Sequence, residues 1–123
     1  MSNVLLPQGF LFSGHHSGVK TNPAMPDYSL FASEVDAVCV GVFTQNRVCA
    51  APVDWCRDHT PHVACRAIVV NSGNANACTG QRGKQDVEAM ASTVASELNI
   101  ADEQVLVMST GIIGVHLDMD KIG

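Results

Sequence analysis

The spacing of apolar and polar positions divides the chain into short extended segments and one long amphipathic helix. Arg66-Ala67-Ile68-Val69-Val70-Asn71 is the clearest predicted strand, and Val105-Leu106-Val107-Met108 repeats its apolar, β-branched character. Residues 37–43 form a continuous apolar run, the pattern of a strand buried on both faces. Residues 47–53 follow closely enough to pair with it as a further strand. Phe10 and Phe12 share one face of a strand candidate, and residues 28–33 form another; residues 21–27 between them, with Pro23 and Pro26, read as a loop. Residues 54–61 are polar and reach a proline, which suits a short helix or a turn. Over residues 85–99, Val87, Met90, Ala91, Val94 and Leu98 fall on one helical face. Asp86 and Glu88 are expected in its first turn, where the helix dipole favours anions, and Asn99 can close it. Residues 72–80 and 109–114 read as loop and turn. Asp118 suits an N-cap for a last helical turn at Met119-Asp120-Lys121-Ile122, where a helix begins just as the chain stops. Strands interleaved with helix predict mixed α and β layers.

Composition narrows the function classes. Of 123 residues, 46% are apolar and 15% charged, which excludes a disordered chain. Charge this sparse predicts a surface covered by the chain itself or by a partner. The net charge is −5 and the basic residues are scattered, so the stripe a nucleic-acid partner needs is missing. No apolar run is long enough for a membrane helix, and residues 1–7 lack the features of a secretory leader. Five cysteines without a Cys-x-x-Cys pair predict reduced thiols in a cytoplasmic protein.

Five constellations could carry chemistry. Cys56, His59, His62 and Cys65 are metal-capable residues spaced by three, but Pro61 interrupts any helix that would align them, and structural zinc sites favour two close pairs. His15 and His16, adjacent on a strand, point to opposite faces. Gly80-Gln81-Arg82-Gly83-Lys84 lacks the spacing and the final hydroxyl of a phosphate loop and reads as a lead into the helix. Asn71, Asn74 and Asn76, with Gly73 and Gly80, could line a small-molecule site or satisfy their own backbone. Ser109-Thr110-Gly111 ends a buried strand, where a hydroxyl and a backbone N–H could stabilise an oxyanion, or form an ordinary turn. No activated nucleophile is visible.

The last two constellations, taken together, resemble a known family. The block from Arg66 to Gly80 is similar to the signature of the ornithine acetyltransferases, the glutamate N-acetyltransferases of arginine biosynthesis. Gly18-Val19-Lys20, Gly41-Val42-Phe43-Thr44 with Asn46, Ala50-Ala51-Pro52-Val53, Ser109-Thr110-Gly111-Ile112-Ile113-Gly114 and Met119-Asp120-Lys121-Ile122 agree in order and spacing. His116 and Asp118 stand where the family usually has prolines, and Met108 where it often has cysteine. The resemblance implies an α+β fold, part of an α-β-β-α sandwich akin to the N-terminal-nucleophile-like aminopeptidases. It implies that residues 1–123 are the N-terminal portion of a catalytic domain, from a precursor that cuts itself before an internal threonine. That threonine, beyond Gly123, takes acetyl from N-acetylornithine and passes it to glutamate, so the isolated chain is expected to be inactive. Thr110 and Gly111 match the family's oxyanion hole. The implied partners are the two small-molecule substrates and the C-terminal β chain, in a cytoplasmic heterotetramer of two α and two β chains, without nucleic acid, membrane, metal or cofactor. Acetyl-CoA serves as an alternative donor in bifunctional relatives. Two other readings stand beside this one: an amide hydrolase of the related self-cleaving type, and a zinc-binding module on Cys56, His59, His62 and Cys65.

Overall fold

The computed structural model describes residues 7–122. Residues 1–6, most of the stretch without leader features, and Gly123 lie outside the described residues. Strands β1 (Phe10–His15) and β2 (Tyr28–Cys39) are followed by helix α1 (Ala51–Asp58), strand β3 (His62–Asn74) and helix α2 (Gly80–Leu98). A 3-10 turn (Asp102–Gln104), strand β4 (Val105–Ile112) and the short helix α3 (Met119–Ile122) complete the order. The four strands form one mixed sheet in the order β1-β2-β3-β4. β1–β2 and β2–β3 are antiparallel, whereas β3–β4 is parallel because α2 carries the chain back to the same end of the sheet.

The helices cover one face. Ala67 and Val69 of β3 and Val105 and Val107 of β4 pack against Val87, Met90, Ala91, Val94 and Ala95 of α2, with Leu117 and Ile122 closing the cluster. Trp55 of α1 packs against this core and donates its indole N–H to the Val105 carbonyl at 2.9 Å. The predicted apolar face of α2 is the buried one, apart from Leu98 at its C-terminal end. Asn99 ends the helix in the left-handed conformation (φ 53°), its N–H directed to the Ala95 and Ser96 carbonyls.

The opposite face is apolar and bare among the described residues. Phe12 and Phe31 meet edge to face with centroids 5.0 Å apart, yet each is 39% exposed. Phe10 and Met108 extend the same face and are also exposed.

The structure corrects several sequence expectations. The 37–43 run is not a strand buried on both faces. Its first residues end β2 beyond irregularities in the β2–β3 register, and Val38, Val40 and Val42 are exposed. Residues 47–53 do not form a strand, because Pro52 sits at the start of α1, where its fixed φ and missing N–H suit a first helical turn. Helix α2 starts at Gly80 rather than Gln85. Asp86 is therefore past the first turn and buried, and the first turn holds no acidic residue. Residues 72–74 and 109–112 extend strands β3 and β4 instead of forming loop and turn.

Candidate active site

The parallel pairing brings the C-terminal ends of β3 and β4 together, with Ser72 opposite Thr110 and Gly73 opposite Gly111. Thr110 is exposed. Strand alternation sends it to the bare face with Met108, and sends Ser109 to the helix side. Gly111 has φ +133°, and a Cβ there would overlap the Gly73 carbonyl group and the Asn74 nitrogen. The two backbones thus approach more closely than side chains permit. Gly73 (φ +110°) is in turn covered by Val19 and Lys20, whose side-chain carbons would lie 3.1 and 3.0 Å from an added Cβ. This contact connects three of the stretches that carry the family resemblance.

The side-chain amide nitrogens of the three asparagines of this region all donate to backbone carbonyls, whereas Asn71 Oδ1 and Asn74 Oδ1 are buried without a partner among the described residues. Asn71 Nδ2 donates to the Asn74 carbonyl at 2.7 Å, and the Ser109 hydroxyl donates to the same carbonyl at 3.2 Å. Asn74 Nδ2 donates to the Val115 and His116 carbonyls (3.2 and 2.9 Å), tying down the segment after β4. Asn76 Nδ2 donates to the Gly83 carbonyl at 2.7 Å, and its Oδ1 accepts from the Thr79 hydroxyl. A side chain on Gly83 would overlap Thr79 and Asn76, so the glycine is part of this packing and not a phosphate cradle.

One organising residue gave no signal in the sequence. The buried Asp27 carboxylate accepts from the Ser17 N–H (2.6 Å), the Ser17 hydroxyl (3.0 Å) and the Lys20 N–H (2.8 Å), with His16 Nδ1 3.2 Å away. Its own carbonyl accepts from the Ser72 N–H at 2.7 Å. Asp27 thus holds the 16–20 segment over Gly73. Burial opposes its charge, but the Lys20 and Ser17 N–H groups, the Ser17 hydroxyl and His16 outweigh it and keep the carboxyl well below the usual carboxylate range. A group with a lower pKa in the folded state stabilises fully above its unfolded pKa of about 4, and that contribution fades as pH falls toward the folded value. Asp27→Asn is therefore expected to lower the melting temperature at pH 7 and to flatten its decline below about pH 4. Thermal scans across the acid range check this, and parallel acid limbs for parent and variant would refute it.

The zinc reading fails on geometry. Among the described residues, no three His, Cys, Asp or Glu side chains are grouped to hold a metal ion. His59 stacks on Trp55, with ring centroids 4.0 Å apart, and His62 Nδ1 accepts the Ala64 N–H. Cys56 donates to the Val107 carbonyl. Burial raises the Cys56 thiol above its ordinary range, and burial together with nearby Cys39 pushes Cys65 up to about 11. Neither favours the thiolate that a metal requires.

The fold is that of the ornithine acetyltransferases. The crystal structure of ornithine acetyltransferase from Mycobacterium tuberculosis, complexed with ornithine, superposes with a TM-score of 0.89 at 41% identity, covering 94% of this chain and 63% of that one. The arginine biosynthesis bifunctional protein ArgJ of Bacillus halodurans gives 0.88 at 40% identity, covering 94% and 60%. The pattern of the ArgJ family matches residues 11–123, and the chain belongs to that family. It is 49% identical over 119 residues to the bifunctional ArgJ protein of Caldanaerobacter subterraneus subsp. tengcongensis, and 45% identical over 115 residues to that of Geobacter sulfurreducens. These alignments cover 97% and 94% of this chain but only 29% of either relative.

Proposed function

We propose that this chain is the N-terminal segment of a glutamate N-acetyltransferase that moves acetyl from N-acetylornithine to glutamate in arginine biosynthesis, and that Thr110 and Gly111 form its oxyanion hole. A threonine in the remainder of the precursor, freed by self-cleavage, attacks the acetyl carbonyl. The carbonyl π electrons move to oxygen, and the hydroxyl of Thr110 and the N–H of Gly111 donate to that oxyanion. Collapse of the intermediate breaks the amide C–N bond and expels ornithine, whose nitrogen takes up the proton given up by the threonine hydroxyl, and leaves an acetyl-threonine ester. The glutamate amine attacks this ester through a second oxyanion at the same donors; collapse breaks the ester C–O bond, the threonine oxygen takes up the proton that the amine gives up, and N-acetylglutamate departs.

The observation that carries this reading is the end of β4. An exposed hydroxyl stands beside a position that admits no side chain, at the margin of a bare apolar face. Oxyanion stabilisation needs donors fixed before the reaction begins, and a backbone locked against Gly73 supplies that rigidity. The bare face suits a second sheet of the α-β-β-α sandwich, contributed by the rest of the precursor. In this reading the enzyme is cytoplasmic, assembles as two α and two β chains, and needs no cofactor, with acetyl-CoA as a second donor. No helix among the described residues is long and apolar enough to cross a membrane.

The test is to incubate the purified full-length protein with N-acetylornithine and isotope-labelled glutamate. Labelled N-acetylglutamate, with an acetylated threonine trapped when glutamate is withheld, is expected. Free acetate with no N-acetylglutamate would establish the hydrolase instead.

A further inference from the structure

We infer that Ser109 is a positioning residue, which sets the oxyanion donors from behind the sheet; the inference rests on the role proposed for Thr110 and Gly111. Ser109 precedes the pair directly and points to the opposite face. Its hydroxyl accepts the Asn76 N–H at 2.8 Å and donates to the Asn74 carbonyl at 3.2 Å. Asn74 ends β3 and Asn76 lies in the connection to α2, so the hydroxyl fastens β4 to that junction one residue before Thr110. The Asn74 carbonyl is itself held by Asn71 Nδ2 at 2.7 Å, so the anchor does not yield easily. Among the described residues, Ser109 Oγ is the acceptor for the Asn76 N–H. Removing the hydroxyl orphans that donor and loosens the junction at Thr110, leaving the Ala75 N–H to Ile112 carbonyl bond (2.8 Å) and the Gly114 N–H to Ala77 carbonyl bond (2.9 Å) to hold the strand to the connection further on. Gly111, pressed against Gly73, passes a shift at that junction on, because the contact leaves no slack. A misplacement of about 1 Å in a catalytic group can cost about 100-fold in rate.

The test uses self-cleaved, full-length enzyme and steady-state acetyl transfer. Ser109→Ala is expected to lower kcat by about 10–100-fold with the KM for N-acetylornithine within about twofold. Ser109→Thr, which keeps a hydroxyl, is expected to restore kcat to within about threefold. In a Thr110→Ala background, Ser109→Ala should cost at least about threefold less than in the parent, since of the two donors only the Gly111 N–H is left to position. A purely structural role would slow both backgrounds alike, and that result overturns the inference. An impaired Thr110→Ala beside a fully active Ser109→Ala overturns it while sparing the oxyanion reading. A fully active Thr110→Ala removes both. If Ser109→Ala does not fold, Ser109→Cys fills the same space with a weaker hydrogen-bonding group, and the same comparison applies.

Discussion

Gly111→Ala is expected to cost about 2–6 kcal/mol, the sum of a side chain held at positive φ and an overpacked contact that cannot relax. The colliding atoms are the Gly73 carbonyl group and the Asn74 nitrogen, all backbone in a paired strand. A flexible side chain could swing away, but a strand can yield only by breaking its ladder. Domain stability is commonly about 5–15 kcal/mol, so such a loss removes a large share of it. Poor soluble yield, or a melting temperature lower by several degrees, is the expected result. Chemical denaturation of the full-length protein beside its parent measures it. A Gly111→Ala protein with parental stability would show that β3 and β4 do not approach as closely as described.

Thr110→Ala is expected to leave stability nearly unchanged, because the side chain is exposed, and to act on the reaction instead. Losing one oxyanion donor costs about 2.7–4 kcal/mol of transition-state stabilisation, or about 100–1000-fold in kcat. KM should move little, since the ground-state carbonyl carries little of the charge that the donor meets. Thr110→Ser keeps the hydroxyl and should retain most of the rate. Steady-state kinetics on protein confirmed as folded and self-cleaved is the measurement, and an undiminished kcat sinks the role given to Thr110. The two neighbours are thus expected to differ in signature, the Gly111 side-chain position acting on stability and the Thr110 hydroxyl on rate.

Legibility in the sequence followed the reach of the signal. The strand at residues 66–71, the strand at 105–108 and the helix closed by Asn99 were readable because their patterns are local and periodic. The 37–43 run misled because strand patterning reports that apolar side chains need cover, not that this chain supplies it. The start of α1 was obscured by valines and cysteine around it, although Pro52 marked it. Two glycines hid the first turn of α2, and Gly83 is there because Asn76 and Thr79 leave no room for a side chain. Asp27 could not be singled out, since its donors come from residues 7–10 positions upstream and only folding assembles them. Thr110 and Gly111 were reached through the family resemblance; spacing alone did not separate them from an ordinary turn. Ser109 carries no motif of its own, and its role depends on a connection that lies 33 residues away in sequence.

The bare sheet face has a consequence for biosynthesis. In a precursor as long as the curated relatives, of which 119 aligned residues make up 29%, roughly 290 residues remain to be translated once this segment leaves the ribosome. With the second sheet supplied by that remainder, as proposed, and at about 5–20 residues per second, Phe10, Phe12, Phe31 and Met108 would stay in contact with water for about 15–60 s before translation is complete. Throughout that interval the nascent chain presents a surface suited to chaperones or to neighbouring chains on the same messenger. Slowing translation downstream of this segment would lengthen the wait and shift newly made protein from assembly toward aggregation.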